Sequence, residues 1–275
     1  MTLTERILKK VMANRQKIIN LNTSTAAEVE EKISAMREGG KILGNLLRDL
    51  KNYVKPGMTG KEIDAWVRKE IVRRGAGVAY DMLGEEFPGA ICISVNDELV
   101  HGAPKDEPLE EGDKVSFDLD IYYKGYFTDS AFTMIVGDKG SPAVKKMISV
   151  TESSMWEGIE QVKPGAAIGT IGHAVEQVLR RGHLGVIENY VGHGIGKDMH
   201  EEPEVPNYGK KGHGYKLVEG DTICIEPMSC LGKPANYTDK SDNWSVKMKD
   251  GSIGCHCEHT ILVTKDGYEV LTLPD

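Results

Sequence analysis

The chain has 275 residues, enough for one large domain or two modest ones, and its 40% hydrophobic and 28% charged residues are those of an ordinary globular protein. A net charge of −8 argues against nucleic acid as a partner. The opening Met-Thr-Leu-Thr-Glu-Arg and the short apolar runs give no sign of a secretory leader or a membrane span. Cys92, Cys224, Cys230, Cys255 and Cys257 are odd in number and scattered, with no C-x-x-C pair. They do not read as a disulfide framework, so the expected home is a reducing cytoplasm.

Residues 1–24, which carry a basic cluster, read as an N-terminal extension ahead of a domain over 25–275. A long helix is predicted over 26–53, opened by a capping box between Thr25 and Glu28. Val54-Lys55-Pro56-Gly57 stops it, and a second helix follows over 60–74. Lys114–Tyr123 sets Val115, Phe117, Leu119 and Ile121 against polar neighbours, which is strand periodicity. Lys124-Gly125 reads as a hairpin turn, with Tyr126–Val136 as the return strand. Helices are expected again over 142–161 and 167–181, and a strand over Thr222–Met228.

This order repeats itself. Val54-Lys55-Pro56-Gly57 recurs as Val162-Lys163-Pro164-Gly165, 108 residues on from Gly57 to Gly165. Leu109-Glu110-Glu111-Gly112-Asp113 recurs as Leu217-Val218-Glu219-Gly220-Asp221 at the same offset, from Gly112 to Gly220. Two motifs sharing one spacing indicate a duplication, with halves near 25–137 and 138–275. Helices segregated from antiparallel strands predict an α+β domain with a pseudo-twofold axis and a cleft between the halves.

The duplication sets an acid at one point in both strands: Asp118 follows Gly112 as Glu226 follows Gly220. Either acid alone reads as an ion-paired strand residue; the symmetric pair in apolar strands favours a metal, because buried charge must be paired or ligated. A two-residue hairpin loop makes Asp129 oppose Asp120, diagonal to Asp118 and within common reach of one cation. Its bland alternative is a surface acid near a turn. Gly192-His193-Gly194-Ile195-Gly196 frames an imidazole with residues that permit close backbone approach, although a single histidine is more often structural. His200 follows, and Glu258 is a further acid at the edge of the apolar Ile261-Leu262-Val263 run. Four carboxylates and one imidazole suit two divalent ions rather than a structural zinc, with a hydroxide between them as nucleophile.

Asn96-Asp97-Glu98-Leu99-Val100-His101-Gly102, Gly192–Gly196 with His200-Glu201-Glu202-Pro203, Ile225-Glu226-Pro227-Met228 and Glu258-His259-Thr260 resemble the type I methionine aminopeptidases, over about residues 26–272. The resemblance implies the pita-bread fold: duplicated halves with an antiparallel sheet and helices packed outside. It implies hydrolysis of N-terminal methionine from peptides and nascent chains, with preference for a small second residue. Asp118 would chelate one metal, His193 and Glu226 the other, and Asp129 and Glu258 would bridge them. Glu226 would also shuttle protons, His101 would contact substrate at the scissile bond, and His200 would bind the carbonyl oxygen. Phe87, Cys92, Met199 and Trp244 match the methionine pocket. His259 carries no chemistry in this reading and is expected to be structural.

Two divalent ions among cobalt, manganese, iron, zinc or nickel are implied, with a monovalent cation and ribosome contact as further family traits and a monomer as the expected state. One departure concerns specificity: family members carry Tyr-His-Gly-Tyr/Phe-Pro where this chain has Glu85-Glu86-Phe87-Pro88. With 25 residues between His200 and Glu226, the type II insertion is absent, as is a Cys/His-rich N-terminal module. An Xaa-Pro aminopeptidase or prolidase, and a non-catalytic pita-bread binding protein, are the alternatives.

Overall fold

A computed structural model describes residues 25–84 and 86–275; the expected 1–24 extension and Glu85 lie outside the described residues. Helix α1 (Ala26–Tyr53) starts on the expected capping box, with the Thr25 side chain accepting from the Glu28 N–H and Glu28 answering the Thr25 N–H. Its buried face carries Met36, Leu43, Leu47 and Leu50 at helical spacing. The same face holds Gly40 and Gly44, where a Cβ would lie 2.4 Å from the carbonyl oxygens of Leu271 and Thr272. Only glycine lets the C-terminal segment cross the helix this closely. Helix α2 (Gly60–Arg73) repeats the capping box through Thr59 and Glu62.

Next come β1 (Gly77–Val78), α3 (Ala79–Leu83), β2 (Cys92–Val95), β3 (Glu98–Val100), β4 (Lys114–Tyr123) and β5 (Tyr126–Ile135). Helix α4 (Pro142–Ile159), capped by Ser141 with Pro142 in its first turn, and helix α5 (Ile168–Arg181) open the second half. They lead to β6 (Gly185–Val186), β7 (Gly192–Gly194), β8 (Glu201–Val205), β9 (Thr222–Ile225) and β10 (Met228–Cys230). The chain finishes with β11 (Asn236–Thr238), β12 (Val246–Met248), β13 (Gly254–His256), β14 (Glu258–Val263) and β15 (Tyr268–Val270).

Among the described residues the main sheet runs β1-β4-β5-β14-β9-β7-β8, with β2 added on β4 and β15 on β14. Smaller sheets run β13-β10-β6 and β11-β12-β3. Leu43, Leu46 and Leu50 of α1 and Ile63 and Val67 of α2 form one core with Val115, Phe117 and Leu119 of β4. A second core joins Met155 and Ile159 of α4 and Ile171 and Val175 of α5 to Ile223, Ile225 and Ile261. Helices therefore cover the sheet in both halves, and the class is α+β as expected.

The 108-residue offset is visible in backbone contacts. The Gly57 N–H donates to the Leu109 carbonyl at 2.8 Å, and the Gly165 N–H donates to that of Leu217 at 2.7 Å. Thr59 bridges Pro108 as Ala167 bridges Lys216. No helix among the described residues is long and apolar enough to cross a membrane.

The expected helix ends hold to within two residues. One expectation fails: the strand over Thr222–Met228 is two strands in different sheets, β9 and β10, broken at Glu226-Pro227. Pro227 has no N–H to donate and restricts the residue before it, so the ladder cannot run through.

Candidate metal centre

Five neighbouring strands of the main sheet each bring one expected residue to a common point. In the order β4, β5, β14, β9 and β7 these are Asp118, Asp129, Glu258, Glu226 (just past the end of β9) and His193. The hairpin register is the one anticipated: Asp120 faces Asp129 and Asp118 faces Ala131. Glu258 also faces Ala131, from the other side of β5, which sets it beside the two aspartates. Gly192 and Gly194 let β7 approach closely, since a Cβ would meet the Cys224 carbonyl oxygen at 2.3 Å or that of Glu202 at 2.2 Å.

The site is largely buried and strongly acidic. Asp129, His193, Glu226 and Glu258 are buried, Glu258 to 1% exposure. Burial, then the charge of neighbouring acids, holds Asp118 and Glu258 well above the usual carboxylate range; Asp129 is raised by burial and by Asp120, and Glu226 by burial. Asp118 Oδ1, Asp129 Oδ1 and Glu258 Oε1 are buried with no hydrogen-bond partner among the described residues. His193 donates through Nδ1 to the Gly194 carbonyl at 2.9 Å, which aims Nε2 at Glu226 Oε1 (3.6 Å) and Asp129 Oδ2 (3.9 Å). Burial lowers its pKa to about 3, so the imidazole is neutral and free to ligate at neutral pH.

Ligand atoms fall into groups in which all lie within 4.8 Å of one another: Asp118 with His256 and Glu258, Asp118 with Asp120 and Asp129, and Asp129 with His193, Glu258 and Cys224. Orphaned carboxylate oxygens around aimed imidazole nitrogens are what a divalent ion requires, so the donor set fits such ions.

The histidines expected to touch substrate border the same space. A cavity of about 310 Å³ is lined by His101, His193 and His200 together with Asp118, Glu226 and His256. The His193 and His200 rings meet edge to face at 4.5 Å. His101 sits at φ 57°, a left-handed conformation that costs a non-glycine residue on the order of 1 kcal/mol and recurs at functional sites. Burial, with a minor contribution from His256 and His200, lowers its pKa to about 4.

Phe87, Cys92, Met199 and Trp244 come together in one apolar cluster, with Trp244 at its partly exposed edge. Phe87 packs on Tyr80 at 4.4 Å between ring centroids and edge-on to Trp244 at 5.3 Å. Cys92 lies directly across from Asp118 in the β2–β4 ladder, so the apolar cluster abuts the acids. His259, read as structural, is held by Thr272 Oγ1 at 2.8 Å and packs against Trp156.

Several participants are not evident from local sequence. Tyr80 meets the Cys92 sulfur at 3.2 Å from a different segment of chain. His256, at 1% exposure, lies inside the acid group. Strand alternation does not signal it, since His256 closes β13 and Glu258 opens β14 in a different sheet. Lys114, four residues before Asp118 on β4, is fully buried and donates to the carbonyl oxygens of Ser94 (3.1 Å) and Glu98 (2.9 Å). Burial lowers its pKa to about 8, against the opposing pull of nearby Cys255 and Glu98.

Known proteins share this chain's sequence and fold. Residues 34–265 match the model of metallopeptidase family M24. The methionine aminopeptidase 1 of Bacillus subtilis (strain 168) is 39% identical over 241 residues, covering 88% of this chain and 96% of that protein. That of Mycoplasma capricolum is 41% identical over 245 residues, with the same coverage. Among solved structures, methionine aminopeptidase from Rickettsia prowazekii superposes with a TM-score of 0.85 at 36% identity, over 89% of this chain and 97% of that one. The prolidase of Pyrococcus horikoshii, at 24% identity and a TM-score of 0.69, shares the fold over 63% of its own length. The chain belongs to metallopeptidase family M24, on the methionine aminopeptidase side of that family.

Proposed function

We propose that residues 25–275 form one catalytic domain that removes the N-terminal methionine from peptides, using two divalent ions held by Asp118, Asp129, His193, Glu226 and Glu258. The observation that carries this reading is the convergence of those five residues from five adjacent strands, with three carboxylate oxygens buried and unsatisfied. Such ions, when bound, neutralise the acids, lower the pKa of water and polarise the scissile carbonyl. Asp129 and Glu258, in the middle of the strand order, would serve both ions, Asp118 would hold one, and His193 and Glu226 would hold the other.

The protein's own groups supply the remaining steps. Glu226 accepts the proton of the attacking water and passes it to the leaving amine. His200 donates a hydrogen bond to the carbonyl oxygen as negative charge develops there. His101, neutral at pH 7, holds the substrate at the scissile bond. Phe87, Cys92, Met199 and Trp244, with Tyr80, grip the methionine side chain. We further propose that the protein acts as a monomer on nascent chains in the cytoplasm.

Purified protein with Co²⁺ or Mn²⁺ is expected to release methionine from a Met-Ala-Ser peptide, and a chelator to abolish that activity. Cleavage of an Xaa-Pro substrate instead would move the assignment to the prolyl peptidases. Fewer than one divalent ion per chain under saturating anaerobic conditions would overturn the metal reading and favour a non-catalytic protein on this fold.

A further inference from the structure

His256 is the one imidazole in the acid group that the proposed ligand set leaves unused. It closes β13, and its backbone is fixed on both sides: it pairs with Met228 of β10, its N–H donates to Thr133 Oγ1 at 3.3 Å, and its carbonyl accepts from that hydroxyl at 2.5 Å. The backbone position from which the ring projects is therefore fixed. Neither ring nitrogen has a hydrogen-bond partner among the described residues, although the residue is only 1% exposed. A buried imidazole with both nitrogens unsatisfied is costly unless something occupies the space it faces.

What it faces is oxygen. Nε2 lies 3.4 Å from Glu226 Oε2 and 3.6 Å from Glu258 Oε2, and Asp118 is in the same group of atoms within 4.8 Å. Two ligand atoms about 2.1 Å from one ion stand about 3.0 Å apart at right angles and about 3.4 Å apart in a tetrahedron. The 3.6 Å between His256 Nε2 and Glu258 Oε2 is thus close to the spacing of two ligands on one ion, with Asp118 in the same group. Glu226 reinforces the pattern, because its Oε1 faces His193 Nε2 at 3.6 Å while its Oε2 faces His256 Nε2. The two imidazoles flank one carboxylate, each addressing a different oxygen.

We infer that His256 Nε2 is a sixth ligand of the centre, joining Asp118 and Glu258 on the ion opposite His193, so that each ion carries one imidazole. This inference rests on the two-ion reading above. Its chemical consequence is a more nitrogen-rich site, which shifts preference away from Mn²⁺ and toward Co²⁺, Ni²⁺ and Zn²⁺.

The test compares wild-type protein with His256→Gln, both loaded with Zn²⁺, using X-ray absorption at the zinc edge to count imidazoles and competition titration to obtain affinities. Circular dichroism and thermal melting establish that the variant folds; His256→Asn takes its place if it does not. The expected result is two imidazoles per two zinc ions in the wild type and one in the variant. The weaker ion's Kd should rise beyond about a hundredfold, more than a residue that merely orients a ligand would give. One imidazole per two ions in both proteins, or a Kd change under roughly tenfold, overturns the role of His256 and leaves the two-ion reading intact. Wild-type protein that binds no zinc overturns the two-ion reading itself.

Discussion

Lys114 offers a measurement that separates burial from every other contribution to stability. It has no exposed surface, and its ammonium meets two backbone carbonyl oxygens rather than a carboxylate in hydrogen-bond contact. Burial lowers its pKa from the ordinary 10.5 to about 8. Between those values the unfolded chain holds a proton that the folded chain has released, so folding stability contributed by this group rises with pH across the window. The separation corresponds to about 3 kcal/mol, lost progressively as pH falls from 10.5 to 8, below which the folded protein must carry a buried charge.

Lys114→Met keeps the length of the side chain and has no titration. It leaves the Ser94 and Glu98 carbonyls without that donor at every pH, which is a constant offset. The assay is urea unfolding of metal-free wild-type protein and the K114M variant at intervals from pH 7 to 10.5, with chelator present. Tyrosine titrations common to both proteins cancel in the difference, and Cys255, whose pKa the Lys114 charge helps to lower, is replaced by serine in both so that its titration does not enter. The stability of wild type relative to K114M should stay level below pH 8 and then climb by up to about 3 kcal/mol. A level difference through pH 10.5, or a falling one, would refute the account of a charge held unfavourably in the interior.

Other outcomes follow from the site and the packing. His101→Ala should lower kcat by about a hundredfold with metal content intact, and loss of metal in that variant would contradict its placement as a substrate contact. Phe87→Ala removes the ring that joins Tyr80 to Trp244. It should raise KM for Met-Ala-Ser and cost about 3 kcal/mol in thermal or urea unfolding; an unchanged KM would remove Phe87 from the methionine pocket. Gly194→Ala drives a Cβ against the Glu202 carbonyl. It should destabilise by about 1–3 kcal/mol and weaken metal binding by shifting His193, so wild-type values for both would show that β7 and β8 can part freely. Arg37→Ala breaks an ion pair with Glu269 whose side chains are 50% and 38% exposed, and should change stability by less than about 1 kcal/mol.

What can be read from sequence is whatever local rules control. The β4–β5 register follows from a two-residue turn, because a hairpin of that length leaves no freedom in pairing. Helix starts follow from Thr25 with Glu28, and the duplication follows from motif spacing that reappears in the Gly57 and Gly165 hydrogen bonds. The pairing of β14 between β5 and β9 is not legible, since it joins segments about 130 and 35 residues apart with no local mark. The break at Pro227 is legible in principle: a proline argues against a continuous inner strand, but apolar content on either side masks it. His256 is not legible either, because the chain changes sheet between His256 at the end of β13 and Glu258 at the start of β14. Tyr80 enters the pocket only through tertiary packing.

The strand order has a bearing on dynamics. Asp118 and Asp129 come from the first repeat, and His193, Glu226 and Glu258 from the second, on strands that lie side by side. Ions bound there would tie five strands into one cooperative unit across the seam between the repeats. Amide hydrogens of β4, β5, β14, β9 and β7 would then exchange together and more slowly as metal is added, while those of β11 and β12, in a separate sheet, would exchange at a rate indifferent to it.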